Sequence, residues 1–278
     1  MLIDTHLHLI DRNRLEYPWL SDVPPLNQDW TYQAYHQVAR RVGISATLHM
    51  EVDVAPAQIP AETTMVAELM TAQDSLIRGA IASGRPEKPG FQDYLEGLDR
   101  SVVKGLRRVL HVMPDDLSQS ALFRDNIRAL EAANLPFDIC VLASQLGLAA
   151  DLADAAPGVS FVLDHCGVPD IADGGFDAWA TEISEISKRS NVNVKISGLV
   201  AYTGGTWGLD TIRPYVEHVI GSFGWKRVVW GSDSPVCTLG GNLETWVATT
   251  YALLEGCSAD EREAFMSKNA KRIWQIDV

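Results

Sequence analysis

The sequence predicts a closed α/β barrel of the (β/α)8 TIM type, and three observations carry that expectation. The chain has 278 residues, 46% of them hydrophobic, which suffices for one large core, and such barrels run to roughly 250 residues without dividing. Short runs rich in Val, Ile and Leu recur along its length, each followed by a segment with helical spacing. Eight runs alternate with eight helical segments, and the regular period leaves no reversal point of the kind a doubly wound sheet needs. One domain over residues 1–278 is therefore expected, with no linker, low-complexity tract or repeat beyond the βα period.

Taken in order, the strands are expected at Leu2 to His6, Ser45 to Glu51, Leu76 to Ala82, Val103 to Val109, Phe137 to Leu142, Val159 to Asp164, Val192 to Ser197 and Arg227 to Gly231. The helices between them are expected at Thr31 to Val42, Ala61 to Asp74, Phe91 to Arg100, Gln119 to Ala133, Ser144 to Ala155, Phe176 to Ser190, Leu209 to Phe223 and Asn242 to Leu254. A last helix, from about Ser258 to Trp274, opens with an N-capping serine and acidic first-turn residues. The long first loop, Ile10 to Trp30, carries Tyr17, Trp19 and Trp30, which suit either a pocket wall or packing against the barrel.

Charge narrows the partners. There are 23 basic against 36 acidic residues, a net charge of −13 without a basic run, which argues against nucleic acid and anionic membrane. No apolar run approaches the ~20 residues of a membrane span, and no signal-peptide plan opens the chain, so a cytoplasmic protein is expected. The cysteines at 140, 166, 237 and 257 form no Cys-x-x-Cys pair and read as reduced thiols. A homo-oligomer is left open.

In a parallel barrel the functional groups sit at the C-terminal strand ends. Strand one ends in His6-Leu7-His8, whose imidazoles leave an extended segment on the same side and can share one target: a divalent metal, a carbonyl oxygen or a water. Strand two offers His49 and Glu51, also two apart. Later strands add Arg107 and Arg108, Asp138, Asp164-His165, Lys195 with Ser197, and Asp233. Ionisable groups inside apolar strands are costly unless paired or used, and a ring of them on seven strands points to a site. His36 and His218 fall in helices and read as surface or interhelical; His111 is left open. Asp233, in Gly231-Ser232-Asp233-Ser234-Pro235, has small neighbours and a carboxylate able to take a proton from water. No Gly-x-Ser-x-Gly elbow and no phosphate loop competes.

Asp4-x-His6-x-His8, Gly105-Leu106-Arg107-Arg108, Leu163-Asp164-His165-Cys166-Gly167-x-Pro169, Lys195-Ile196-Ser197-Gly198-Leu199 and Gly231-Ser232-Asp233-Ser234-Pro235-Val236 together resemble the amidohydrolase superfamily, and within it the L-fuconolactonase and L-rhamnonolactonase branch. The resemblance implies a distorted, amidohydrolase-like barrel that hydrolyses the ester of a sugar lactone. Asp233 would activate water, while His6, His8 and His165 hold or polarise the carbonyl, with or without one divalent metal, zinc or manganese. Many metal-dependent relatives carry a histidine at the end of strand five, where this chain reads Phe137-Asp138-Ile139-Cys140; His6, His8 and Asp233 would supply a three-ligand set. The branch more often has tryptophan at the position of Ser234.

On such a substrate Arg107, Lys195, His49, Glu51 and Asp138 are suited to hydrogen-bond ring hydroxyls, and Trp207 either stacks on the sugar or packs its loop. Rival readings are a hydrolase of an anionic pyrone-dicarboxylate lactone gripped by Arg107, Arg108 and Lys195, a metal-dependent aromatic-acid decarboxylase, and a barrel that binds sugars without turnover.

Overall fold

The computed structural model describes residues 1–278. Eight parallel strands follow one another around the sheet in chain order: β1 (Leu2–Leu7), β2 (Ile44–Met50), β3 (Ile77–Ser83), β4 (Val103–Val109), β5 (Phe137–Cys140), β6 (Phe161–Leu163), β7 (Val192–Ile196) and β8 (Val228–Trp230). The sheet closes where the turn after β8 meets β1. Asp233 N–H donates to His6 O (2.9 Å), His8 N–H donates to Ser234 O (2.8 Å), and Leu7 bridges Ser234 in parallel. Asp4 locks the same seam: its Oδ1 accepts from Ser232 N (2.7 Å) and its Oδ2 from the Tyr35 hydroxyl (2.7 Å).

The outer ring consists of α1 (Tyr32–Arg41), α2 (Ile59–Met70), α3 (Phe91–Glu96), α4 (Ala121–Ala133), α5 (Leu146–Ala155), α6 (Phe176–Ile186), α7 (Leu209–Phe223) and α8 (Leu243–Leu253). The element order is as expected, while several ends differ. The strand expected to reach Asp164 stops at Leu163, because Asp164–Gly167 turns away in a 3-10 segment. The expected strand five runs only to Cys140, and the third helix ends at Glu96, four residues early, with Gly97 as its C-cap.

The last helix is not continuous. Ser258 caps it as expected, accepting from Glu261 N–H, but α9 (Ala259–Glu263) passes through a π-helical turn at Ala264–Lys268 into α10 (Asn269–Trp274). That turn brings α10 under the barrel. Ala270, Ile273, Trp274 and Ile276 form a second, inner apolar cluster with Ile3, Ala46, Leu48, Met50, Ile81, Val162 and Val229. The N-terminal half of the barrel is thus filled by hydrocarbon, and Trp274 is its cap. Lys195 lies above the indole, its Nζ 5.2 Å from the ring centroid, so the next layer up begins with a charge.

Candidate active site

Above the apolar plug lies a buried layer of charges. Lys195 Nζ donates to Asp138 Oδ2 (2.6 Å) and meets Asp164 Oδ1 at 3.0 Å, all three side chains being inaccessible to solvent. Arg107 donates from Nε to Glu51 Oε1 and from Nη2 to the Glu51 carbonyl, both at 2.7 Å, and its Nη1 lies 3.6 Å from Asp164 Oδ2. Burial would raise every carboxyl here, but Lys195 and His6 outweigh it at Asp164, and Arg107 with Arg85 outweighs it at Glu51; both stay below the usual carboxylate range. At Asp138 burial prevails and, with Asp164 adding to it, pushes the carboxyl up despite Lys195. In a layer so paired, removing any one charge would leave its opposite buried and uncompensated.

On top of this layer stand three imidazoles and a carboxylate. His6 and His8 face each other through Nε2 (3.1 Å), and Asp233 Oδ1 lies 3.6 and 3.5 Å from those two nitrogens. On the other side of Asp233, its Oδ2 is 3.7 Å from His165 Nδ1, which also meets Ser197 Oγ at 3.0 Å. A register shift in the β1–β2 pairing between Asp4 and Leu7 puts both histidines on the inner face although Ile3 also points inward. Burial, with Arg107 next in weight, lowers the His8 pKa to about 3, so this ring is neutral; Nδ1, facing the Met50 carbonyl at 3.1 Å, carries its proton and Nε2 is a lone pair. Burial foremost and then Lys195 also keep His6 neutral, and burial lowers His165.

Asp233 is the unusual group. Neither carboxylate oxygen has a hydrogen-bond partner although both are buried, and burial pushes its pKa up to about 6 against the opposing pull of His165 and Arg107. Its backbone is left-handed (φ 55°), as are four consecutive residues after β6: His165, Cys166, Gly167 and Val168. The second run is held by Trp179 Nε1, which donates to the Cys166 carbonyl at 2.7 Å. Glycine is required between the two: a Cβ at Gly198 would sit 2.7 Å from Asp233 Oδ2 and 2.8 Å from His165 Nδ1. At Gly231 a Cβ would come within 2.7 Å of His6 Cβ.

A cavity of about 400 Å³ opens over this floor. His8, Arg107, His165 and Asp233 line its base. Several residues expected to contact substrate hydroxyls are elsewhere, which corrects that expectation. Asp138, Lys195 and Glu51 are consumed in the charged layer below, and His49 points out of the barrel to Glu62 Oε1 on α2 (3.1 Å). His49 and Glu51 do not share a direction, because β2 ends at Met50 and its alternation stops there. Trp207 packs its own loop, donating to the Gly240 carbonyl at 2.6 Å, and lies off the cavity. Residues that spacing did not single out line it instead: Tyr202, five residues before Trp207, together with Asp53 and Cys140. His111 and Trp19 also reach it, whereas Tyr17 and Trp30 of the same first loop pack against the barrel. His36 is half-buried on α1, its ring against the Asp74 carbonyl, and His218 is wedged between α6 and α7, bonded to the Ala180 carbonyl.

The fit of a divalent cation can be tested on the donor set. Ligands of a tetrahedral zinc at about 2.0–2.1 Å lie roughly 3.4 Å apart. His6 Nε2, His8 Nε2 and Asp233 Oδ1 lie 3.1, 3.5 and 3.6 Å from one another, and the carboxylate is otherwise unpartnered, so these three fit. His6, His165 and Asp233 form a looser set, within 4.8 Å. Arg107 Nη1, 3.4 Å from His6 Nε2, would compete for the same nitrogen.

A parallel eight-stranded barrel with histidines ending its first strand, a histidine after the sixth and an aspartate after the eighth defines the amidohydrolase class of hydrolases. A sequence profile described as "Amidohydrolase" matches residues 3–276, and the chain belongs to that family, on its lactonase-like branch. It is 33% identical to an L-fucono-1,5-lactonase of Burkholderia ambifaria over 180 residues, 63% of this chain and 62% of that one. To an L-fucono-1,5-lactonase of Burkholderia multivorans it is 23% identical over 99% of this chain and 96% of the other. Its fold superposes on an amidohydrolase of Burkholderia multivorans solved with bound zinc, with a TM-score of 0.90 at 22% identity over the whole of both chains.

Proposed function

We propose that the protein hydrolyses the ester bond of a neutral lactone, with Asp233 as the group that activates water. The observation that carries this reading is a buried carboxylate without a hydrogen-bond partner, 3.5–3.7 Å from three imidazoles at the base of a cavity. The names of the relatives support the same chemistry, and make L-fucono- or L-rhamnono-type aldonolactones the first compounds to try.

In this scheme ionised Asp233 takes a proton from the water that attacks the lactone carbonyl carbon. The carbonyl becomes an oxyanion beside Arg107, whose Nη1 is aimed at the His6–His8 pair, and beside His165. His165 Nδ1 is engaged by Ser197 Oγ (3.0 Å), which leaves Nε2 as the ring nitrogen available to the substrate. The intermediate collapses, the ring C–O bond breaks, and protonated Asp233 returns its proton to the departing oxygen. The product is the open hydroxy acid. His6, His8 and Asp233 would hold a divalent cation, which when bound supplies Lewis-acid polarisation and a more acidic water.

An anionic lactone is the weaker reading. Arg107 is doubly committed to Glu51, Arg108 pairs with Glu87 (2.9 Å), Lys195 is sealed beneath the floor, and Asp22 and Asp53 add negative charge to the wall. The test is acid release from a panel of γ- and δ-aldonolactones and a pyrone dicarboxylate, with and without zinc or manganese. Turnover of the neutral lactones is expected; turnover of the dicarboxylate alone would overturn the proposed substrate charge.

A further inference from the structure

Resting on the lactonase reading, the walls of the cavity say what the rest of the substrate is made of. Ten of the seventeen lining residues are hydrophobic. Trp19, Val23 and Leu26 of the first loop line the cavity beside Val52; Val109 and Val112 belong to the end of β4 and the loop after it, and Val236 and Leu239 follow β8, across the barrel from β4. Val112 and Leu239, 67% and 44% exposed, are among the few large hydrophobic side chains that the protein leaves in water. Both line the cavity. Apolar side chains kept wet around a concave site mark a surface that a ligand covers.

Several of the polar groups among them are already engaged. Trp19 Nε1 donates to the Val52 carbonyl (2.8 Å), so the indole has no donor left. Asp53 Oδ1 accepts from Arg85 Nη2 (2.8 Å), and His111 Nδ1 is turned to Cys140 Sγ (3.2 Å). Asp22 lies exposed, where water serves it. The groups suited to a polyol, Asp138, Lys195, Glu51 and His49, are bonded to protein below or outside the cavity. A ring carrying several hydroxyls would lose water there and find few fixed partners.

We propose that the preferred substrate is a neutral five- or six-membered lactone bearing a hydrocarbon substituent, alkyl or aryl, which lies against the apolar lining of the cavity, Val112 and Leu239 included, while the ester sits over Asp233. Hydroxyl-rich aldonolactones are then the poorer substrates of the same reaction.

The experiment compares kcat/KM, divided by the uncatalysed rate of each compound, for δ-decanolactone and a phenyl-substituted γ-butyrolactone against L-fucono-1,5-lactone and D-glucono-1,5-lactone. An advantage of roughly 10²-fold for the hydrocarbon lactones is expected, the size of effect a hydrophobic pocket exerts against an added hydroxyl. In the double variant Val112→Gln/Leu239→Gln, both at exposed positions, that advantage should fall about tenfold. Equal or faster turnover of the aldonolactones overturns the substituent while leaving the lactonase reading standing. An undiminished advantage in the double variant overturns the contact of the substituent with Val112 and Leu239. No turnover of either set removes the lactonase reading, and this inference with it.

Discussion

Replacing Asp233 by Asn separates chemistry from stability, because the side chain is nearly isosteric and its oxygens bond to nothing. The carboxyl is fully enclosed, and burial moves its pKa from 3.8 to about 6. Each tenfold in a proton equilibrium is worth about 1.4 kcal/mol, so ionising Asp233 in the folded protein costs on the order of 3 kcal/mol. A folded pKa above the unfolded one leaves this group's contribution intact below about pH 4. It is lost as pH rises to about 6, and at pH 8 the native protein bears the full cost. The amide introduced by D233N does not ionise. Metal-stripped D233N should therefore be more stable than the parent at pH 8, by up to about 3 kcal/mol, and close to it at pH 4. Loss of the base should lower kcat/KM for lactone opening by about 10²–10⁴. Urea unfolding at the two pH values and acid release from the same preparation give both numbers. Near-normal turnover, or a variant less stable at pH 8, would refute the assignment of an unpartnered base.

Three further outcomes follow from the same geometry. In chelated protein kcat/KM should rise with pH through about 6 and level off above it, since Asp233 works ionised and burial holds His8 neutral throughout this range; a profile flat from pH 5 to 8 would contradict this. Lys195→Met leaves Asp138 and Asp164 buried without their cation and should cost about 3–5 kcal/mol in denaturation, where a substrate-binding lysine would raise KM in a protein of unchanged stability. If a divalent cation is held as proposed, zinc titrated into chelated protein should raise the melting temperature, and His8→Ala should abolish that rise while His49→Ala keeps it.

The barrel was legible because parallel strands covered on both faces read as repeated apolar runs. Element ends were not. The left-handed stretch His165–Val168 follows β6 without any break in composition, and the π-turn at Ala264–Lys268 interrupts a pattern that reads as one helix. In the site, His6, His8, His165 and Asp233 were visible as polar residues at the ends of apolar strands, and the structure gathers them within hydrogen-bond range of one another or slightly beyond. What a single strand cannot reveal is whether its charge faces a ligand or another strand. Lys195, Asp138 and Glu51 look alike in sequence to Arg107, yet only Arg107 reaches the cavity. Glu62, the partner of His49, lies in the next helix, where a carboxylate reads as a surface residue.

The inner plug bears on how the molecule is made. Asp4 must wait for Ser232, 228 residues later, before its strand has a neighbour on that side. Lys195 in turn waits for the indole of Trp274, 79 residues further on, on which it rests. A chain lacking that tryptophan would present its inner aliphatic strands to water, so the lower half of the barrel is sealed only once the segment from Ala270 to Ile276 has docked beneath it.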